Sequence, residues 1–87
     1  MTYSIEFSKR AEKQFRSLPP SIQERLVPSI NTLTENPRPP NVKKLAGEEN
    51  QYRIRVGDYR IVYQINDQLL LVLVLKIGHR SEVYRQR

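Results

Sequence analysis

Over residues 2–7, Tyr3, Ile5 and Phe7 alternate with polar positions, the period of a strand with one face buried. Ser8 follows as a helix cap, and Ala11, Phe15 and Leu18 then recur at helical spacing until Pro19 and Pro20 stop the run. Ser21 and Glu24 stand in the S-x-x-E relation of a capping box, and Ile22, Leu26, Ile30 and Leu33 form one apolar stripe. A second helix is therefore expected, antiparallel to the first. Pro28 falls inside it, removes a backbone donor and crowds the preceding turn, which predicts a kink or an early break. Residues 36–51 hold three of the six prolines and read as a long ordered surface loop.

Residues 51–77 read as a three-stranded meander with turns at Gly57-Asp58 and Asn66-Asp67. Glycine in the first central position suits a type II′ turn, and Asn-Asp tolerates the positive φ of type I′. Residues 69–75 are apolar on both faces, as in a central strand covered above and below. A short basic tail, residues 79–87, ends the chain. The expected fold is α+β: an N-terminal strand, then a two-helix antiparallel hairpin packed on one face of a mainly antiparallel four-stranded sheet, in the order β-α-α-β-β-β. No repeat, low-complexity tract or linker interrupts it, so residues 1–87 are expected to be one domain.

Composition narrows the chemistry. The chain has no cysteine and a single histidine, His79, which leaves no basis for a disulfide framework, a cysteine zinc site or a dedicated transition-metal site, so no metal or other cofactor is expected. The N-terminal residues lack the basic-then-apolar order of a signal peptide, and the longest apolar run has seven residues where a spanning helix needs about 20. A cytoplasmic location is the default expectation. Net charge is +6, and residues 38–87 carry ten basic and five acidic side chains against five and four before them. That surplus favours a polyanionic partner, nucleic acid first and an acidic protein second.

If Gly57-Asp58 is a two-residue loop, Arg55 faces Arg60, Arg53 faces Val62, and alternation puts Arg53, Arg55 and Arg60 on one face of the sheet. Like charges directly opposite each other cost stability unless an anion sits over them, and arginine's planar fork suits a phosphate. A solvated outer face is the plainer alternative. RNA can be cleaved without a metal when the 2′-hydroxyl attacks the adjacent phosphate, because the nucleophile is already in the substrate. The protein must then neutralise a phosphorane and handle two protons. Arg53, Arg55, Arg60 and Arg80 are candidates for the first task, and Tyr84 and His79 for the second. The plainer readings are a packing or stacking tyrosine and a surface histidine at a strand end.

The block Tyr52-Arg53-Ile54-Arg55-Val56-Gly57-Asp58-Tyr59-Arg60-Ile61-Val62-Tyr63, followed by Gly78-His79-Arg80 and Val83-Tyr84, resembles the signature of the RelE/ParE superfamily of toxins. So does the earlier Lys43-Lys44-Leu45-Ala46-Gly47. The resemblance implies a toxin encoded beside an antitoxin that binds and silences it. RelE-like members cut messenger RNA in the ribosomal A site, leaving a 2′,3′-cyclic phosphate and a 5′-hydroxyl. Their working positions fall here on Arg53, Arg55, Arg60, Arg80 and Tyr84, with His79 a reserve acid or base. Lys43, Lys44, Lys9, Arg10 and Lys13 are expected to hold ribosomal RNA backbone. Two departures bear on the chemistry. The best-studied pattern has lysines where this chain has Arg53 and Arg55, and arginine does not give up its proton, which leaves the general base unassigned. The segment from Arg80 to Tyr84 is also shorter, so Arg80 corresponds to either of two basic positions. The competing reading is a ParE-like inhibitor of DNA gyrase without nuclease chemistry, and a third is an inactive member that only pairs with its antitoxin.

Overall fold

A computed structural model describes residues 2–47 and 49–79. Its elements are β1 (Ser4–Phe7), α1 (Lys9–Arg16), α2 (Pro20–Thr32), β2 (Lys43–Lys44), β3 (Gln51–Val56), β4 (Tyr59–Asn66) and β5 (Leu71–His79). The strands form one sheet in the order β1-β5-β4-β3-β2. β1 runs parallel to β5, and the other three pairs are antiparallel. The α+β architecture and its element order are those expected from the pattern, with one addition. A fifth, two-residue strand, β2, lies inside the stretch expected to be loop throughout. Lys43 pairs with Arg53 and Lys44 with Tyr52, and Gly47 and Asn50, both at positive φ, carry the return to β3. Two lysines are too short a segment for an alternation to register.

The core lies between the helices and one face of the sheet. It joins Ala11, Leu26, Ile30 and Leu33 to Tyr52, Ile54, Ile61, Tyr63, Ile65, Val72, Val74 and Ile77. Ser8 caps α1 as expected, its Oγ accepting from the Ala11 amide at 3.0 Å, and it also donates to the Leu75 carbonyl at 3.1 Å, which fixes the helix start to β5. The fully buried Ala11 lets α1 approach the sheet closely. Gln23 closes the helical hairpin by donating to the Phe15 and Leu18 carbonyls, both at 3.0 Å, which ties α2 to the end of α1.

Three local expectations are corrected. α2 starts at Pro20 with Pro19 as its cap and no side-chain capping bond, so the Ser21/Glu24 box does not form; proline's fixed φ suits the first helical position. α2 also runs through Pro28 to Thr32 without breaking. Burial of Leu26, Ile30 and Leu33 contributes about 1.5–3 kcal/mol per side chain, enough to offset an interior proline at about 3 kcal/mol. The second hairpin turn is not a two-residue Asn66-Asp67 turn. Asn66 pairs with Leu71, so four residues intervene, and the left-handed position falls on Leu70. Asn66 Oδ1 accepts from the Leu69 amide, and the Leu70 carbonyl accepts from Ser4, which starts the parallel β1–β5 pairing.

A polar clasp holds the chain ahead of β2 against this turn. Arg38 donates to both carboxylate oxygens of Asp67, at 3.2 and 2.9 Å, and to the Tyr52 hydroxyl at 3.1 Å. Tyr3 donates to Asp67 at 2.6 Å, and the buried Tyr63 hydroxyl donates to the Pro37 carbonyl at 2.7 Å. The hydrogen bonds from Arg38 and then Tyr3 hold the Asp67 carboxyl below its ordinary value. A depressed carboxylate contributes stability above its unfolded pKa and loses that contribution as pH falls through the folded value. Asp67→Asn is therefore expected to be less stable than the parent at neutral pH, with the gap closing below about pH 4; urea unfolding across pH measures this. Tyr63→Phe strips the Pro37 carbonyl of its buried donor and is expected to cost about 1–3 kcal/mol in the same assay.

Candidate nucleic-acid interface

The first hairpin turn has two residues, as expected, with Val56 opposite Tyr59, Arg55 opposite Arg60 and Arg53 opposite Val62. Of the two turn residues only Gly57 has positive φ, at 60°, as a type II′ turn requires. The position is also crowded, since a Cβ on Gly57 would lie 2.6 Å from a guanidinium nitrogen of Arg25, reaching over from α2. With Tyr52, Ile54, Ile61 and Tyr63 directed into the helix-covered core, alternation brings Arg53, Arg55 and Arg60 together on the outer face.

That face holds more cations than the sequence pattern alone assigns to it. Lys43 opposes Arg53, Arg53 opposes Val62, and Val62 opposes Lys76, so one row of paired positions crosses four strands. Arg55, Arg60 and Gly78 form the neighbouring row. Strict alternation from the buried Val72 and Val74 would send Lys76 inward. A register shift between Val62 and Tyr63 reverses the parity of β5, so Ile77 enters the core at 2% exposure and Lys76 takes the outer face. A lone lysine at the end of an apolar strand is the signal that sequence reading passed over.

The cations sit at different depths. Arg55 and Lys43 are exposed, Arg53 and Lys76 half-buried, and Arg60 is only 4% exposed, its guanidinium donating to the Tyr59 carbonyl at 3.4 Å. Gly78, opposite Arg60, adds no side chain to that part of the row. Among the described residues, carboxylates on or near the face include Asp58 in the turn and Glu6, whose strand is three strand spacings from Arg53. Such a surface suits an anion with several oxygens: a deep guanidinium for charge stabilisation, and more mobile cations around it for placement.

Other expected site residues are dispersed. Lys44 pairs with Tyr52 and so takes the parity opposite to Lys43. His79 pairs with Tyr59 and packs edge-on against its ring, centroids 5.6 Å apart, which puts it on the parity of Ile61 and away from Arg60. Lys9, Arg10 and Lys13 belong to α1, on the helix-covered side of the sheet; Lys13 shares a surface depression with Gln14, Ile77 and Gly78. Arg80 and Tyr84 lie outside the described residues.

Comparison with known proteins fits this arrangement. The family described as "ParE toxin of type II toxin-antitoxin system, parDE" matches residues 5–84. The mRNA interferase toxin RelE of Escherichia coli K12 is 36% identical, over 99% of this chain and 94% of its own. The crystal structure of isolated E. coli RelE superposes with a TM-score of 0.81 at 35% identity, covering 97% of this chain and 93% of that one. The archaeal RelE–RelB complex from Pyrococcus horikoshii gives 0.81 at 32% identity, covering 93% and 98%.

The Arg55–Arg60 pairing leads to a direct test. Replacing Arg55 by threonine removes a cross-strand like-charge contact and raises strand propensity, so Arg55→Thr is expected to be more stable than the parent by about 0.2–1 kcal/mol at low salt. The gain should shrink in high salt as the repulsion is screened; urea unfolding at both ionic strengths measures it.

Proposed function

The chain belongs to the RelE/ParE superfamily of type II toxins, and from that membership we propose that it is a metal-independent endoribonuclease that cleaves messenger RNA at the ribosome. The observation that carries this reading is the shared outer face of Arg53, Arg55 and Arg60, opposite the helices. The E. coli relative named as an mRNA interferase supports the same activity.

In the proposed reaction the 2′-hydroxyl of the substrate forms a bond to its own phosphorus while the bond to the 5′-oxygen breaks. The products are a 2′,3′-cyclic phosphate and a 5′-hydroxyl. Arg55 and Arg60 hold the phosphate and neutralise the charge that builds on its oxygens, with Arg53 beside them. Arg80 adds to that charge stabilisation. Tyr84 orients the base or transfers a proton, one proton leaving the 2′-hydroxyl and one reaching the departing oxygen. The edge-on packing of His79 against Tyr59 favours Tyr84 over His79 for this work.

Its protein partner in this reading is a cognate antitoxin, forming a toxin–antitoxin hetero-oligomer. The Pyrococcus horikoshii neighbour, which is a RelE–RelB complex, supports that assignment. A ribosomal target implies action in the cytoplasm, and among the described residues no helix is long and apolar enough to cross a membrane.

The test is a reconstituted translation reaction on a defined message, with new 5′ ends mapped after the purified toxin is added. The parent is expected to cut between codons. Arg60→Ala should lose about 10²–10³-fold in rate and Tyr84→Ala about 10²–10⁴-fold, each variant first shown to be folded by circular dichroism. Because the matching family is described as ParE toxin, the same preparation is also tried on DNA gyrase. Intact message together with trapped gyrase–DNA breaks would replace the ribonuclease reading with gyrase inhibition.

A further inference from the structure

We propose that Lys76 binds a backbone phosphate adjacent to the one held by the arginines, with Lys43 taking another on the far side, so that the sheet grips a run of RNA across its strands. This rests on the outer face being an RNA surface and adds to it an extended binding track.

Lys76 is out of place as a structural residue. It lies on β5 opposite β4, just past Val74 where the pairing with β1 ends, in an apolar strand where lysine has poor propensity. The other outward positions of β5 that pair across the sheet are Leu71, Leu73 and Gly78. Lys76 takes part in none of the ion pairs seen among the described residues. Its neighbour across the strand is Val62, only 5% exposed, and the next position in the row is Arg53.

Strands lie about 4.8 Å apart, so Lys43 and Lys76 stand at the two ends of a row roughly 14 Å long, with Arg55 and Arg60 one row away. A nucleic-acid strand laid across the sheet meets Lys76 on one side of the arginines and Lys43 on the other. Lysine suits such flanking positions, because a point charge on a flexible stem follows a phosphate without dictating its orientation, whereas the scissile group needs the planar fork of arginine. Along this row the pattern favours RNA over an acidic peptide, since its apolar member, Val62, is nearly covered and offers no anchor to a folding segment, the half-buried Leu71 and Leu73 lying further along β5 beside β1.

The experiment measures binding of a short 2′-O-methyl RNA, which cannot be cleaved because its nucleophile is blocked, by fluorescence anisotropy from low to high KCl. Parent, Lys76→Gln and Lys76→Arg proteins are compared. Lys76→Gln should bind more weakly at low salt, and its plot of log affinity against log salt should be shallower by about 0.7, one single-strand phosphate contact. Lys76→Arg should restore the parental slope. An unchanged slope in Lys76→Gln would overturn the proposal even if the parent cleaves message normally. A reduced slope in Lys76→Gln alongside a parent that cleaves nothing would keep the proposal and sink the ribonuclease reading. No RNA binding by the parent, or a Lys76→Gln defect confined to the antitoxin, would overturn it in favour of a protein partner.

Discussion

Side chains of a strand alternate between faces, so whatever sets the register of β3 against β4 also sets where every arginine of that hairpin points; here it is the two-residue turn at Gly57 and Asp58. The core confirms the register from the other side. Tyr52, Ile54, Ile61 and Tyr63 are buried under the helices, and a slip of one residue would turn one strand over, either exposing Tyr52 and Ile54 with Arg53 and Arg55 forced inward or exposing Ile61 and Tyr63 with Arg60 forced inward. Forcing guanidinium groups into that apolar layer is far more costly than any local rearrangement could offset. Formation of the hydrophobic core and assembly of the cationic face are thus one event.

The rest of the structure supports that hairpin from both sides. β5 lies against β4 over the length of the strand, and Ser8 and Gln14 tie α1 to β5, Gln14 accepting from the Ile77 amide at 2.7 Å beside the register shift. On the other flank, the Arg38–Asp67–Tyr3 clasp and the Tyr63–Pro37 bond hold the chain that leads into β2. Lys43 therefore reaches Arg53 from an anchored segment. The register also sets Arg55 directly opposite Arg60, and in the proposed reading an RNA phosphate over the pair offsets their repulsion.

Much of this was legible in the residues because it follows from periodicity. Tyr3, Ile5 and Phe7 mark β1, Ser8 marks a helix start, and Gly57-Asp58 specifies its turn closely enough to place three arginines on one face. The features that escaped depend on contacts distant in sequence. β2 exists because β3 offers an edge to two lysines, and Lys76 faces outward because a register shift against β4 reverses the parity of β5. The Asn66-Asp67 signal was overridden by the claims of Arg38 and Tyr3 on Asp67 and by Ser4 on the Leu70 carbonyl. His79 is adjacent in sequence to Arg80, yet strand pairing sends it toward Tyr59, a direction that sequence proximity does not encode.

The central claim, that one face of the sheet receives RNA through Arg53, Arg55 and Arg60 together, is tested most directly by following arginine side-chain Nε–H resonances during titration with an uncleavable RNA. Coordinated shifts at those three arginines, with Arg10, Arg16 and Arg25 on the helices little changed, are the predicted result. Shifts centred on the helical arginines, with the sheet arginines unmoved, would contradict the account.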